Sequence, residues 1–150
     1  APLLAARFIG IRINFARIVE SSSELNAQAD IVIVEGAGGF RVPLNEEQDS
    51  ADLAEQLGLP VILVVGMRLG CLNHALLTAE AIAARGLTLA GWVANVMDGE
   101  MAALQENIEA LRERIAAPLL GVVPYQREPD ARAAGQLLDL SLLGQKLAHE

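Results

Sequence analysis

The sequence predicts an α/β protein: a parallel β-sheet with helices on both faces. Three observations predict it. Four short runs, Ile31–Val34, Val61–Val65, Leu89–Ala94 and Leu119–Pro124, are apolar without polar alternation, as strands buried on both faces are. Helical stretches separate them, and each run is followed by a glycine-rich or polar loop. Strand and helix in alternation imply βαβ units and hence parallel pairing.

Residues 1–14 show no clean period. Ala16–Ala29 read as a helix with Ile18, Val19, Leu25 and Ala29 as its apolar positions, although Ser21–Ser23 interrupt it. After the first strand comes a loop containing Pro43. Ser50 is then a plausible N-cap for a helix over Ala51–Leu57, with Asp52 in its first turn and Gly58 at its C-cap. The second strand leads through "GMRLGCLN" to a helix over His74–Ala84 that Gly86 ends. The third strand leads through "NVMDGE" to a helix over Met101–Ile115. There Leu104, Ile108, Leu111 and Ile115 recur at helical spacing. Pro129 and Asp130 open a polar region after the fourth strand, and Leu137–Leu147 read as a closing helix.

The 150 residues suit one domain, 1–150. Apolar residues make up 53% and aromatic residues 3%, so the core must be aliphatic. A net charge of −8 argues against nucleic acid or an anionic membrane as partner. The single cysteine, Cys71, cannot form an internal disulfide, so a reducing, cytoplasmic setting is expected. The longest apolar window, Leu59–Met67, is shorter than the roughly 20 residues of a membrane span. The chain opens without an initiator Met and without a cleavage-site pattern.

Ligands of open parallel sheets bind beyond the carboxyl ends of the strands, so the loops there carry the functional content. Glu35 caps an apolar run and is followed by Gly36, Ala37, Gly38 and Gly39. A carboxylate there suits a hard cation such as Mg²⁺, and glycines let backbone amides face a phosphate. A tight turn with a solvated glutamate fits equally well. In the next loop, Gly66 and Gly70 bracket the start of a long helix whose unpaired amides suit a carboxylate or phosphate. Ordinary capping is the alternative. Asn73 would be its N-cap or a side-chain donor, Arg68 a phosphate contact or a solvated charge, and Cys71 a packed small residue. His74 would bond a carbonyl. Asn95 offers a donor and an acceptor suited to an adenine edge, or to an Asx-turn. Pro124 and Tyr125 would pack on a base or end a strand. No nucleophile triad, cysteine–histidine metal spacing or paired catalytic carboxylates occur, and His149 falls in the tail.

Taken together, "VIVEGAGGFRVPL", "LPVILVVGMRLGCLNHALLTAEAI", "LAGWVANVM" and "APLLGVVPY" resemble the dethiobiotin synthetase family in order and spacing from Asp30 to Asp130. The opening "APLLAAR" is similar to a segment that in the family often carries a histidine, where this chain has Leu3 or Leu4. The resemblance implies a P-loop NTPase-like fold and a homodimer with active sites at the subunit interface. It also implies ATP-, Mg²⁺- and CO₂-dependent closure of a ureido ring on 7,8-diaminopelargonic acid. Glu35 matches the Mg²⁺ ligand, and Gly36, Ala37 and Gly38 the phosphate-side loop. Gly70, Cys71, Leu72 and Asn73 match the helix start that holds the substrate carboxylate. Asn95 matches an adenine contact, and Pro124, Tyr125 and Asp130 the remaining nucleotide-side loop.

The chain departs from that pattern in having no G-x-x-x-x-G-K-[ST] motif, and its one lysine is Lys146. The fold is therefore expected to be incomplete, with the first strand and P-loop absent, and this chain alone is not expected to catalyse. Two alternatives compete. One is a cobyric-acid-synthase-like or partition-type ATPase fragment, which the "GCLNHALLTAEAI" helix start disfavours. The other is a non-catalytic remnant that dimerises or binds a metabolite.

Overall fold

The computed structural model describes residues 2–36 and 38–143 and divides into two units, Ala1–Leu59 and Pro60–Glu150. The first holds three helices: α1 (Pro2–Phe8), α2 (Phe15–Asn26) and α3 (Ser50–Leu57). The second contains β1 (Val61–Met67), α4 (Cys71–Ala84), β2 (Leu89–Val96), α5 (Leu104–Arg114), β3 (Leu119–Val123) and α6 (Ala131–Gly135). Lys146, His149 and residues 144–147 of the expected helix over Leu137–Leu147 lie outside the described residues; of its described part, 137–140 are turn and loop and only 141–143 are helical.

The three strands form a parallel sheet in the order β1-β2-β3, as the strand–helix alternation predicts. β1 pairs with β2 from Val61↔Leu89 to Met67↔Val96, with an irregularity after Val61, and β2 pairs with β3 from Trp92↔Leu119 to Asn95↔Val123, with one after Trp92. Alternate residues of a strand face opposite ways. Val65 and Met67 of β1 and Trp92, Ala94 and Val96 of β2 point into one core, which Cys71 and Ala75 of α4 and Ile108 and Leu111 of α5 complete. The intervening Ile62 and Val64 are exposed. The core is aliphatic apart from Trp92, whose Nε1 is buried without a partner, at a cost of about 1–3 kcal/mol.

The two long helices of this unit lie where the sequence places them, but α4 begins at Cys71 rather than His74, and α5 runs Leu104–Arg114 rather than Met101–Ile115. On α5 the apolar spacing buries Ile108 and Leu111, and Ile115 at the C-cap is buried as well. Glu106 lies in its first turn and Arg112 and Arg114 in its last, matching the helix dipole. Gly86 ends α4 at φ 67°. After β3 the chain doubles back, and the Asp139 amide donates to the Leu120 carbonyl over 2.7 Å. A Cβ on Gly121 would stand 2.2 Å from the Leu137 carbonyl oxygen, so only glycine fits that crossing. Among the described residues no helix is long and apolar enough to cross a membrane.

The first unit corrects several expectations. Ile31–Val34 form no strand: 31–36 are irregular, with Ile31 80% and Ile33 88% exposed. A run apolar on both faces becomes a strand only when neighbours pair its backbone and cover both sides, and none of the described residues does so. Residues 2–8 are helical despite lacking a clear period. The N-cap of α3 is Asp49, not Ser50: Asp49 accepts from the amides of Ala51 and Asp52, and the Asp52 side chain accepts from the Asp49 amide. Ser50 Oγ is engaged elsewhere, donating to the Phe40 carbonyl over 2.7 Å and accepting from the Val42 amide over 3.0 Å. Gly58 is the C-cap, at φ 62°.

Leu111 is fully buried, so Leu111→Ala should destabilise the chain by about 2–5 kcal/mol. The check is the midpoint of urea unfolding at an unchanged slope.

Candidate functional site

The loops that leave the carboxyl ends of the strands are built from the pairing itself. Gly66 is opposite Asn95, and Asn95 is opposite Val123. The segments after Met67, Val96 and Val123 therefore emerge side by side.

The first of these turns into α4 through Gly70. That residue is the N-cap, at φ 90° and ψ −3°, and no side chain caps the helix. Asn73 thus lies in the first turn rather than at the cap, because the glycine has already set the helix start two residues before it. The Cys71 amide donates to the Arg68 carbonyl over 3.0 Å. The amides of Leu72 and Asn73 belong to the first turn, where an α-helix supplies no acceptor of its own. Cys71 is 3% exposed and its thiol contacts Asn107 Oδ1 at 3.8 Å. Its side chain is core and only its backbone faces the turn. Leu72 packs against the same core, while Arg68 and Asn73 are exposed. His74 donates its amide to the Gly70 carbonyl.

The second segment carries Asn95, which lies within β2 because the strand runs one residue further, to Val96. Its neighbours Ala94 and Val96 face the core, so the Asn95 side chain is on the other face. There its Nδ2 donates to the Met97 sulfur over 3.3 Å. No Asx-turn forms at Asn95; that arrangement belongs to Asp98, which accepts from the Glu100 amide over 2.9 Å. A Cβ on Gly66 would stand 3.3 Å from Met97 Cγ, and one on Gly99 would stand 3.3 Å from Tyr125 Cδ1. Both glycines leave room for a neighbouring side chain. Tyr125, just after β3, is exposed, as is Pro124. Asp130 is the N-cap of α6, accepting from the amides of Arg132 and Ala133. Met97 and Gly99 escaped the sequence reading; the available signal was that positions 95 and 97 share one side of a strand.

Glu35, Gly36 and Gly38 lie in the first unit, and Ala37 lies outside the described residues. Glu35 is exposed and lines an open groove of about 620 Å³ with Ile11, Ile18, Leu25, Val32 and Val34. Gly38 and Gly39 take φ 90° and 119°, the conformations expected of them, whereas Gly36 does not. The loop beyond them is tied down by Arg41 pairing with Asp49 and by buried Asn45, which accepts from the amides of Glu47 and Gln48. Among the described residues no three His, Cys, Asp or Glu side chains gather as metal ligands. Glu35 could supply one carboxylate to a hard cation whose other ligands were phosphate and water, a donor set that suits Mg²⁺.

The sequence that builds these strands and turns has known relatives. A family model described as an AAA domain matches residues 1–133, and the chain belongs to that family. Its curated relatives are more particular. It is 64% identical over 138 residues to the ATP-dependent dethiobiotin synthetase BioD of Aromatoleum aromaticum, covering 91% of this chain and 61% of that protein. It is 57% identical over 143 residues to the enzyme of the same name from Ralstonia nicotianae, covering 95% and 62%. With that of Pseudomonas aeruginosa it shares 54% over 145 residues, covering 96% and 64%. The resemblance read from the motifs is borne out, and the cobyric-acid and partition-type alternatives are not favoured. The chain spans about three-fifths of the length of these relatives.

Gly70 holds a φ that costs a residue with a Cβ about 1–2 kcal/mol. Gly70→Ala should lower stability by that amount, read as a reduced denaturation midpoint, and should shift the amide resonances of Leu72 and Asn73.

Proposed function

We propose that this chain supplies the substrate-carboxylate and base-facing parts of a dethiobiotin synthetase. The single observation carrying the reading is its 64% identity over 138 residues to an enzyme of that name. The strand-end geometry supports it independently. In the proposed reaction one amine of 7,8-diaminopelargonic acid adds to CO₂, giving a carbamate and releasing a proton. ATP phosphorylates the carbamate oxygen and leaves as ADP. The second amine then attacks the carbonyl carbon, the bond to the phosphoryl oxygen breaks, and phosphate and a proton depart as the ureido ring closes.

Each residue has a place in that proposal. The start of α4, from Gly70 through Cys71 and Leu72 to Asn73, holds the substrate carboxylate, with the first-turn amides of Leu72 and Asn73 as donors. The dipole contributes about 0.3–1 kcal/mol there, and the amide bonds to a charged acceptor add more. Asn95 reads the adenine, with Pro124 and Tyr125 beside the base. Asp130 orders the loop beyond them by capping α6. Glu35 holds Mg²⁺, with the backbone of Gly36, Ala37 and Gly38 on the phosphate side. The metal would offset charge on the transferred phosphoryl group, a reaction in which positioning and electrostatics do most of the work. A homodimer in the cytoplasm completes the proposal.

Two experiments test it. Calorimetry should detect diaminopelargonate binding in the millimolar range or better. Asn73→Asp should weaken it roughly five- to tenfold, because a carboxylate in the first turn repels another at about 1 kcal/mol in water and competes for the dipole. The same change favours the helix itself, so the unfolding midpoint should hold or rise. Undiminished binding in Asn73→Asp would remove the carboxylate site from α4. For the metal, Mn²⁺ added with inorganic phosphate should broaden the amide resonances of Gly36 and Gly38 in the native chain and not in Glu35→Gln. Equal broadening in both would strike Glu35 from the ligand set.

A further inference from the structure

We propose that Met97 is a positioning residue that sets the base selectivity of this site by fixing the Asn95 carboxamide. The inference rests on the reading of Asn95 as a base contact and adds to it a residue that the motif comparison does not mark.

A carboxamide has one acceptor oxygen with two lone pairs and two donor protons. Left to itself it can turn over, exchanging its nitrogen and oxygen ends. Here one proton is committed, since Asn95 Nδ2 donates to Met97 Sδ at 3.3 Å. Turning the amide over would set Oδ1 against the thioether, where two acceptors meet and no bond forms. Met97 therefore selects one of two otherwise similar orientations.

The remaining face has one donor proton on Nδ2 and the Oδ1 acceptor. That face complements a 6-aminopurine, which offers an amino donor beside the N7 acceptor. A 6-oxopurine offers two acceptors there, so Oδ1 would meet O6 or N7 without a proton between them. A 6-oxopurine takes one bond from Nδ2 and one oxygen clash in either orientation, whereas a 6-aminopurine is fully matched in only one, so fixing the amide in that orientation favours the 6-aminopurine alone. Holding the side chain in one orientation also lowers the ordering cost of binding, and the unfavourable oxygen contact supplies discrimination against the wrong base.

The backbone holds Met97 where this needs it. Its amide donates to the Met67 carbonyl at 3.3 Å, tying the end of β2 to the end of β1. Gly66 lies directly opposite Asn95 in the register, and a Cβ there would come within 3.3 Å of Met97 Cγ. The thioether thus lies over a position that carries no side chain of its own.

The test uses the isotope-labelled 150-residue chain, with AMP and GMP as probes and the Asn95 side-chain amide resonances as reporter. The native chain should prefer AMP, and AMP should shift the Asn95 resonances. Met97→Leu keeps the apolar bulk and removes the acceptor, and it should lower the AMP-to-GMP affinity ratio by roughly two- to fivefold, the scale of one weak hydrogen bond. Met97→Gln returns an acceptor at a similar reach and should restore the ratio. A packing role alone would give no such rescue. Asn95→Ala should abolish the preference. If Asn95→Ala abolishes it while Met97→Leu leaves it unchanged, the positioning role falls and the nucleotide reading stands. If the native chain shows no preference, or Asn95→Ala does not alter it, both fall together.

Discussion

Parallel pairing of β2 with strands on both of its sides is the constraint from which the strand-end geometry follows. Seven residues of β1 and four of β3 are paired with β2, with one irregularity near the start of each ladder. The chain direction is shared, so the three following loops must leave from the same end of the sheet. The pairing is enforced from one side by the core. Trp92, Ala94 and Val96 cannot face Ile108 and Leu111 unless Val93 and Asn95 face the other way. A slip of one residue would take Trp92 off the face it shares with Ile108 and Leu111 and put Asn95 there instead. Setting an unpaired amide into that apolar core is costly, so the packing favours the observed register.

The same alternation gives Asn95 its chemistry. A polar residue inside an otherwise apolar strand would ordinarily be a defect. Here it comes at the last turn of the pleat before the strand ends, on the side away from α4 and α5, with a sulfur acceptor two residues on. Glycines opposite and beside it, Gly66 and Gly99, keep that end of the sheet open to neighbouring side chains. Folding and the proposed base contact therefore ask for the same parity.

Most of the second unit was legible from residue pattern because each of its signals is satisfied locally. β1, β2 and β3 match their apolar runs to within two residues, and Gly86 takes the left-handed conformation that its place at a helix end suggests. The failures have a common origin. Ile31–Val34 carry as strong a strand signal as Val61–Val65, yet strand formation depends on partners, and composition only states what partners would be required. The Asp49 cap was missed because Ser50 is an equally good capping type. What excludes Ser50 is a tertiary bond of its hydroxyl to Phe40, ten residues away. Of the two roles open to Asn73, the cap falls to Gly70, because a glycine N-cap has no side chain to announce it. In the strand-end loops, residue type suggested the chemistry, but the Asn95–Met97 contact depends on a side-chain parity that only the observed strand limits establish.

A consequence concerns how the α4 turn would respond to its surroundings. An anion site made from lysines or histidines changes with pH and with salt, because its charge is mobile and exposed. The site proposed at the first turn of α4 would use backbone amides and a helix end, neither of which gains or loses a proton. Its geometry is fixed by one glycine at φ 90° and by the burial of Cys71 and Ala75 directly beneath it. Side chains in the turn are then free in proportion to their distance from that core. Leu69 is 98% exposed and Arg68 is exposed, so neither is needed to hold the turn. Gly70 and Cys71 are held by backbone conformation and by packing respectively. Specificity at such a turn has to come from shape and from the position of the amides, and it is the core under α4, more than any charged group above it, that maintains both.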